Sequence, residues 1–488
     1  MPPSAVPDVQ TEQPVRTKAV NGAVKGSANG MADEPITDRF VEFVVNSDYK
    51  ALSSKDIAKL KDLIVDHIGV AAGAALGSDS SEGIFKGIQA FSAGTFGKCT
   101  VYTKGHDFAP HYAALLNGSF AHSYDFDDTY AAGTVHPGAS VIPATLASAE
   151  VHNSSGEEVL LAIAVGYEVL CRLSRALGAG SYVRGFHNTA TTGIFGSIAA
   201  IASLRRLPRQ VVADAFGLAG SKAAGSMQYL DNGSWNKRLH PGFAAHDAML
   251  CIALAEQGIT GASRIIEGKV GLLHAFSTNA STDGLTSGLG TQWVFSQTAL
   301  KPYSACRYTH TGIEIVAEVA DEARKKSGQD VLPKSMTVSL GKAAFGIVGL
   351  EQPNKLHPDN IVDAQFSNYY QLAVTWLFGA GIGFSAYDDD KFNDPRIRTL
   401  CDRIKCIDDP KCPVWGTIID IEFDDGTKVH RSMDFPLGEE QHPYSPEQVR
   451  GKFRGLVGKV YDSSRMENII QAVDGIEKSS VADVMKLL

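Results

Sequence analysis

Residues 155–178 read Ser155-Gly-Glu-Glu158-Val-Leu-Leu-Ala-Ile-Ala-Val-Gly-Tyr167-Glu168-Val-Leu-Cys-Arg172-Leu-Ser-Arg-Ala-Leu-Gly178. Ser155 followed three residues later by Glu158 is the signature of a capping box, in which each side chain satisfies a backbone N–H at a helix start. Leu160, Ile163, Tyr167 and Leu170 recur at the spacing of one helix face, and Gly178 predicts the stop. Gly166, Glu168 and Arg172 interrupt the apolar run, which falls short of the ~18 residues that a membrane helix needs. A buried helix is therefore expected here, with no role in a membrane.

The same pattern extends upstream. Ser53 with Asp56 repeats the capping signature, and Ile57, Leu60, Ile64 and Ile68 mark the apolar face of a second helix. Stretches 193–203 and 217–225 are rich in Ala and Gly interleaved with Ile, Leu and Phe. Small side chains let helix axes approach, so both predict closely packed helices. The Ser/Thr/Gly-rich stretch 279–290 predicts a surface loop near a domain boundary. After Lys301 the period changes. Residues 335–340 read as a strand, and Ile419, Ile421 and Phe423 alternate along 417–423. Asp425-Gly426 then marks a tight turn, with a returning strand over 427–432. From Ser445 through Phe453 to the C-terminus the pattern is helical again. The fold class expected is mostly α with an α+β second domain. Both chain ends (35–297 and 436–488) build the helical domain, and an α+β insert occupies 298–435.

Composition narrows the function. The chain has 488 residues, 54 acidic against 45 basic side chains and a net charge of −9. No basic block or aromatic-interleaved stripe is present, which excludes nucleic acid as the expected partner. The seven cysteines are expected as reduced thiols, and Cys401, Cys406 and Cys412 lack the Cys-x-x-Cys spacing of zinc or iron–sulfur sites. Residues 1–34 show no period and read as a disordered leader. Asp8 and Glu12 weigh against a transit peptide, whereas Arg16, Lys18 and Lys25 leave a mitochondrial address open. The compartment expected is the cytoplasm.

Four segments carry candidate chemistry. The first is His122-Ser-Tyr-Asp125-Phe-Asp127-Asp128-Thr129, followed by His136-Pro-Gly. Three carboxylates within four positions repel one another and need cations, a metal or a raised pKa. They follow an apolar helical stretch, 112–121, and so sit at a helix C-terminus, where negative charge is unfavourable. A divalent ion on Asp125, Asp128 and His136 is the weaker reading, because the acids lack the alternate spacing of a calcium loop. The second segment is Gly185-Phe-His187-Asn-Thr. The third, Asn236-Lys237-Arg238-Leu-His240-Pro-Gly, is the densest positive charge of the helical half and suits substrate carboxylates. The fourth, Lys301-Pro-Tyr-Ser-Ala-Cys306-Arg307-Tyr-Thr-His310, lies where the helical pattern gives way to α+β, and domain junctions favour small-molecule sites. A Cys306–His310 nucleophile pair is a minor reading of it.

Taken in order, these segments resemble the MmgE/PrpD family, which includes 2-methylcitrate dehydratases and cis-aconitate decarboxylases. The likeness extends through Asp363-Ala-Gln-Phe-Ser367 and Pro443-Tyr-Ser-Pro-Glu-Gln-Val-Arg-Gly-Lys-Phe453 and covers nearly the whole chain after the leader. It implies a helical domain with an α+β lid, a homodimer, and an active site between the domains that works without cofactor or metal. It places site positions on Asp125, Thr129, His136, His187, Lys237, His240 and Lys301, to which the cationic fourth segment adds Arg307. The chain departs from animal decarboxylases at Cys306, where those enzymes carry a His, and it lacks a lid tyrosine near 341–349. The activity expected is a metal-independent lyase on a citrate- or aconitate-like tricarboxylate, in the first place dehydration of 2-methylcitrate or another 2-alkylcitrate. Decarboxylation of cis-aconitate to itaconate is the alternative. An epimerase or isomerase of a related diacid and a non-catalytic dimeric scaffold stand behind it. In the roles expected, His136 and Asp125 form the acid/base pair and His187 polarises or donates a proton. Thr129 orients a carboxylate, while Lys237, His240 and Lys301 clamp carboxylates.

Overall fold

Both expected capping boxes form, at Ser53/Asp56 and Ser155/Glu158, and they open helices Ser54–Gly77 and Gly156–Val183. These helices belong to a computed structural model that describes residues 35–327 and 331–488; the expected leader lies outside the described residues. Leu160, Ile163, Tyr167 and Leu170 are completely buried, but so is most of the rest of the helix circumference, which makes this a central helix rather than an amphipathic surface one. Gly178 is a kink and not the stop. It takes a left-handed φ of 58°, which a glycine adopts without Cβ strain, and helical bonding resumes to Val183.

Helix Asn188–Leu204 crosses this central helix at a pair of glycines. A Cβ on Gly166 would lie 2.8 Å from the Gly196 carbonyl oxygen, and a Cβ on Gly196 would lie 2.8 Å from that of Gly166. The small residues thus permit backbone-to-backbone packing, as their composition predicts. The expectation for 217–225 holds only in part: helix Arg209–Ala219 ends within it, and 220–225 turns away.

The two polar interruptions of the central helix fix a distant loop. Glu168 and Arg172 are an entirely buried pair, 2.6 Å apart. Arg172 also donates to the carbonyls of Leu285, Ser287 and Gln292, and Glu168 accepts the Val294 N–H. Buried charge is tolerable only when its hydrogen bonds are satisfied, and here the 284–294 loop supplies them.

One hydrophobic core draws on Phe40 to Leu300 and on Val449 to Leu488; a second draws on Cys306 to Phe423. The second core lies under a four-stranded sheet of order Ile404–Asp408, Ser335–Leu340, Thr417–Glu422, Lys428–Met433. The first pair is parallel and the other two are antiparallel. The hairpin predicted at Asp425-Gly426 is present, with Gly426 at φ 83°. Helices His310–Ser327 and Asn368–Phe378 cover its buried face. Among the described residues no helix is long and apolar enough to cross a membrane.

The returning C-terminal helix, Pro446–Val457, starts with a third capping box at Ser445/Gln448 and lies along helix Ser54–Gly77. From it Lys452 reaches Asp66 at 2.7 Å and the Phe126 carbonyl at 2.8 Å, all out of solvent. Lys452→Met strands the Asp66 carboxylate, and a broken buried pair costs on the order of 3 kcal/mol. The urea midpoint of this variant is expected to fall, and adding Asp66→Asn is expected to restore part of it. Equal midpoints for wild type and Lys452→Met would refute the pairing.

Candidate active site

Helix Pro110–Ser123 ends where its sequence turns acidic, and Asp125 follows in the left-handed region at φ 50°. Asp tolerates this conformation better than most residues, yet it needs outside support. The support is a run of three captured carbonyls. Gln365 Nε2 donates to Tyr124 O at 2.9 Å, Lys301 Nζ to Asp125 O at 2.6 Å, and Lys452 Nζ to Phe126 O at 2.8 Å. Ser304 also donates to Tyr124 O. The segments around 363–367 and 443–453, singled out in the sequence, thus hold the acidic turn from two sides.

The turned-out Asp125 carboxylate collects two ammonium groups on one oxygen. Lys237 Nζ lies 2.7 Å from Oδ1 and Lys301 Nζ 2.9 Å from it. Lys237 comes from the first turn of helix Asn236–Glu256. Lys301 is brought in by a backbone bridge two residues earlier, where Thr129 and Ala299 exchange N–H···O bonds of 2.8 and 2.7 Å. Burial opposes ionisation of Asp125, but the two ammonium charges outweigh it and hold the carboxyl well below the ordinary carboxylate range.

Imidazoles form the neighbouring layer. His136 Nε2 faces Asp125 Oδ1 at 3.9 Å, and its Nδ1 lies 3.3 Å from Asp127 Oδ1. His122 Nδ1 is 2.7 Å from Asp127 Oδ2. His187 uses both ring nitrogens within the protein, Nδ1 with His240 Nδ1 at 3.0 Å and Nε2 with Thr189 Oγ1 at 3.1 Å. Burial pushes His122 down to about 4 and His240 down to about 3. His187 is held well below its usual value, first by burial and then by His240. These three rings are therefore neutral near pH 7.

A cleft opens beside these groups. Asp125, Thr129, His136, His187, Lys237, Lys301 and Arg307 all line it, and His240 stands behind His187 without lining it. Thr129 Oγ1 and Arg307 Nη2 are buried without a partner among the described residues; the other side of Arg307 pairs with Glu439. Sequence reasoning did not find Met227, Ile347 and Trp415, apolar residues of the cleft lining. They are ordinary apolar residues of scattered segments and carry no motif. Cys306 lines the cleft too, its thiol pushed up by burial and by Asp125. His310 does not partner it, bonding instead to the Ala305 carbonyl at 3.1 Å.

His122, Asp125, Asp127 and His136 bring ligand atoms within 4.8 Å of one another. A divalent ion placed there would meet the two ammonium groups already on Asp125, a repulsion that disfavours it. Asp128, part of the metal trio considered from sequence, points elsewhere and accepts the Gly138 N–H at 3.0 Å.

A model of the MmgE/PrpD N-terminal domain matches residues 38–284, and one of the MmgE/PrpD C-terminal domain matches residues 303–478. The chain belongs to the MmgE/PrpD family. It is 27% identical to a cis-aconitate decarboxylase of Aspergillus terreus over 491 residues, covering 95% of this chain and 98% of that one. With a cis-aconitate decarboxylase of Mus musculus it shares 28% over 466 residues, 93% of each. A 2-methylcitrate dehydratase-like protein of Aspergillus oryzae is 25% identical over 212 residues, 40% of this chain and 42% of that one.

In this MmgE/PrpD chain the three acids of the turn have diverged in charge. Burial also opposes ionisation of Asp127, but the hydrogen bond from His122 and the neighbouring His136 hold it well below the ordinary range. Asp128 goes the other way, pushed up to about 8 by burial and then by Asp127 and Asp66. Its ordinary value is 3.8, so the folded protein keeps a proton that the unfolded chain releases. That contribution to stability is full below the ordinary value and is lost as pH rises through about 8. Asp128→Asn keeps an oxygen for Gly138 and cannot ionise. Its melting temperature is expected to fall less than that of wild type between about pH 5 and about pH 9. Parallel profiles for the two proteins would show that Asp128 stays ionised.

Proposed function

We propose that this protein is a lyase acting on a citrate- or aconitate-type tricarboxylate, first of all dehydrating a 2-alkylcitrate such as 2-methylcitrate. The observation that carries the reading is the charge of the cleft wall. Lys237, Lys301 and Arg307 line it, against one carboxylate in the wall, Asp125, and one behind it, Glu439 on Arg307. A cleft with this excess of buried cations suits a multiply charged anion. Met227, Ile347, Phe366 and Trp415 offer an apolar surface for an alkyl substituent.

Dehydration requires a base for the proton beside a carboxylate, cations for the charge that develops there, and an acid for the departing hydroxyl. His136, with Nε2 toward the cleft, is the base. The lysine pair stabilises the carboxylate and supplies the acid. Thr129 and Arg307 offer their unpartnered donors to the remaining carboxylates. Asp125, doubly paired with lysine, anchors those cations rather than carrying protons. His187, engaged at both nitrogens, shapes the wall. Decarboxylation of cis-aconitate is the second reading, favoured by similarity along almost the whole chain to proteins named cis-aconitate decarboxylase. Cys306, at the position where animal decarboxylases carry a His, favours the first.

Purified protein incubated separately with 2-methylcitrate, citrate and cis-aconitate distinguishes them. Alkene absorbance without carbon dioxide is expected from methylcitrate. Carbon dioxide released from cis-aconitate would replace the first reading with the second, and no turnover of any of the three would overturn both. His136→Ala is expected to lower kcat by on the order of 100-fold, and a chelator is expected to leave activity unchanged. Loss of activity in chelator, restored by a metal ion, would overturn the metal-independent mechanism.

A further inference from the structure

Asp127 takes no part in the cleft wall, yet it is 2% exposed and lies between two imidazoles. His122 Nδ1 donates to its Oδ2 at 2.7 Å, and His136 Nδ1 stands 3.3 Å from its Oδ1. The His122 ring packs edge-on against His136 with centroids 4.6 Å apart, and stacks on His187 at 5.6 Å. His122 Nε2 is buried without a partner among the described residues, so this ring serves Asp127 through Nδ1 alone. His136 is fixed from its backbone as well, its N–H donating to Thr189 Oγ1 at 3.2 Å.

We propose that Asp127 is the positioning residue of the reaction: it holds the Nδ1–H tautomer of His136, so that Nε2 presents its lone pair to the substrate, and His122 locks Asp127 in that role. His136 Nδ1 and Asp127 Oδ1 face each other at 3.3 Å, and neither is hydrogen-bonded to anything among the described residues; an ionised carboxylate accepts only, so a proton between them belongs on Nδ1. The opposite tautomer would set a lone pair against the carboxylate and turn Nε2–H into the cleft, leaving no base there. The inference rests on the lyase reading in taking His136 as the proton-transfer group.

The proton balance follows. Nε2 takes the proton beside the substrate carboxylate as the C–H electron pair becomes the new double bond. The hydroxyl leaves with the C–O pair and gains a proton from the lysine pair. The imidazolium at His136 then carries its charge between Asp127 on one side and Asp125 on the other. The charged and titratable groups facing it are those two acids, His122, His187 and, through Asp125, Lys237 and Lys301. Asp127→Asn keeps the shape but offers an amide N–H to Nδ1, which favours the wrong tautomer.

Two measurements test this. In full-length protein carrying ¹⁵N-labelled histidine, long-range ¹⁵N–¹H spectra of the wild type should show His136 as the Nδ1–H tautomer. In Asp127→Asn they should show the Nε2–H tautomer, with titration moved to lower pH. With 2-methylcitrate and cis-aconitate as probes, Asp127→Asn should lose on the order of 100-fold in kcat with KM little changed, and the acidic limb of the pH profile should move with the titration. His122→Gln, which retains a donor for Asp127, should keep most of the activity. An Nε2–H tautomer in the wild type, or an unchanged tautomer in Asp127→Asn, would overturn the inference even if both acids are turned over. If neither acid is turned over, the lyase reading fails, and the spectra still decide the tautomer.

Discussion

The arrangement of this molecule depends on one carboxylate oxygen, Asp125 Oδ1, that accepts two buried ammonium groups. At a separation near 4 Å and an effective dielectric of about 20, a pair of unit charges interacts by about 4 kcal/mol. Such attraction makes it tolerable to take three charged groups out of water. The stoichiometry also matters. Two cations against one anion leave the cluster positive, while Arg307, also in the lining, is paired with Glu439. The protein thus withdraws its lysines from solvent without neutralising them, and an anion that enters finds positive charge already oriented.

Around that cluster His122, His187 and His240 are kept neutral by burial. The acidic turn shows how finely environment divides like residues. Asp125 faces lysines, Asp127 faces imidazoles, and Asp128 accepts a helix N-terminal N–H and makes no salt bridge among the described residues. The first two stay ionised and the third holds its proton. The turn that carries them has a left-handed residue at Asp125, and its three acids face three different sets of neighbours.

Much of the architecture was legible because it rests on local chemistry. Capping boxes at Ser53, Ser155 and Ser445 mark true helix starts, and the Asp425-Gly426 turn marks the hairpin. Strand Ile404–Asp408 was not legible, since it is short and its parallel partner lies some seventy residues earlier in the chain. Gly178 misled because a glycine marks a break in helical φ without saying whether the helix resumes. In the site, the likeness to the family named Asp125, Thr129, His136, His187, Lys237 and Lys301, which line the cleft; the acid cluster and the dense Lys/Arg segment alone pointed only to their neighbourhoods. What sequence could not assign was the difference between neighbours: that Asp127 lies between two imidazoles while Asp125 takes two lysines, or that His240 backs His187 from outside the cleft. Those differences depend on side-chain direction, which no motif encodes. The apolar side of the cleft was invisible for a plainer reason: residues such as Met227 and Trp415 are chemically ordinary, and only folding collects them.

The three captured carbonyls at 124–126 have a consequence for the order in which the protein becomes competent. Their captors are Gln365, Lys301 and Lys452, so the strained turn is complete only when chain from well beyond the helical half has arrived. During synthesis, every lysine and histidine of the cleft is made long before Lys452. A ribosome-bound chain already carrying all of those groups still lacks the contact that finishes the turn. The C-terminal helix therefore acts as a latch on the turn, which is complete only once Lys452 is in place.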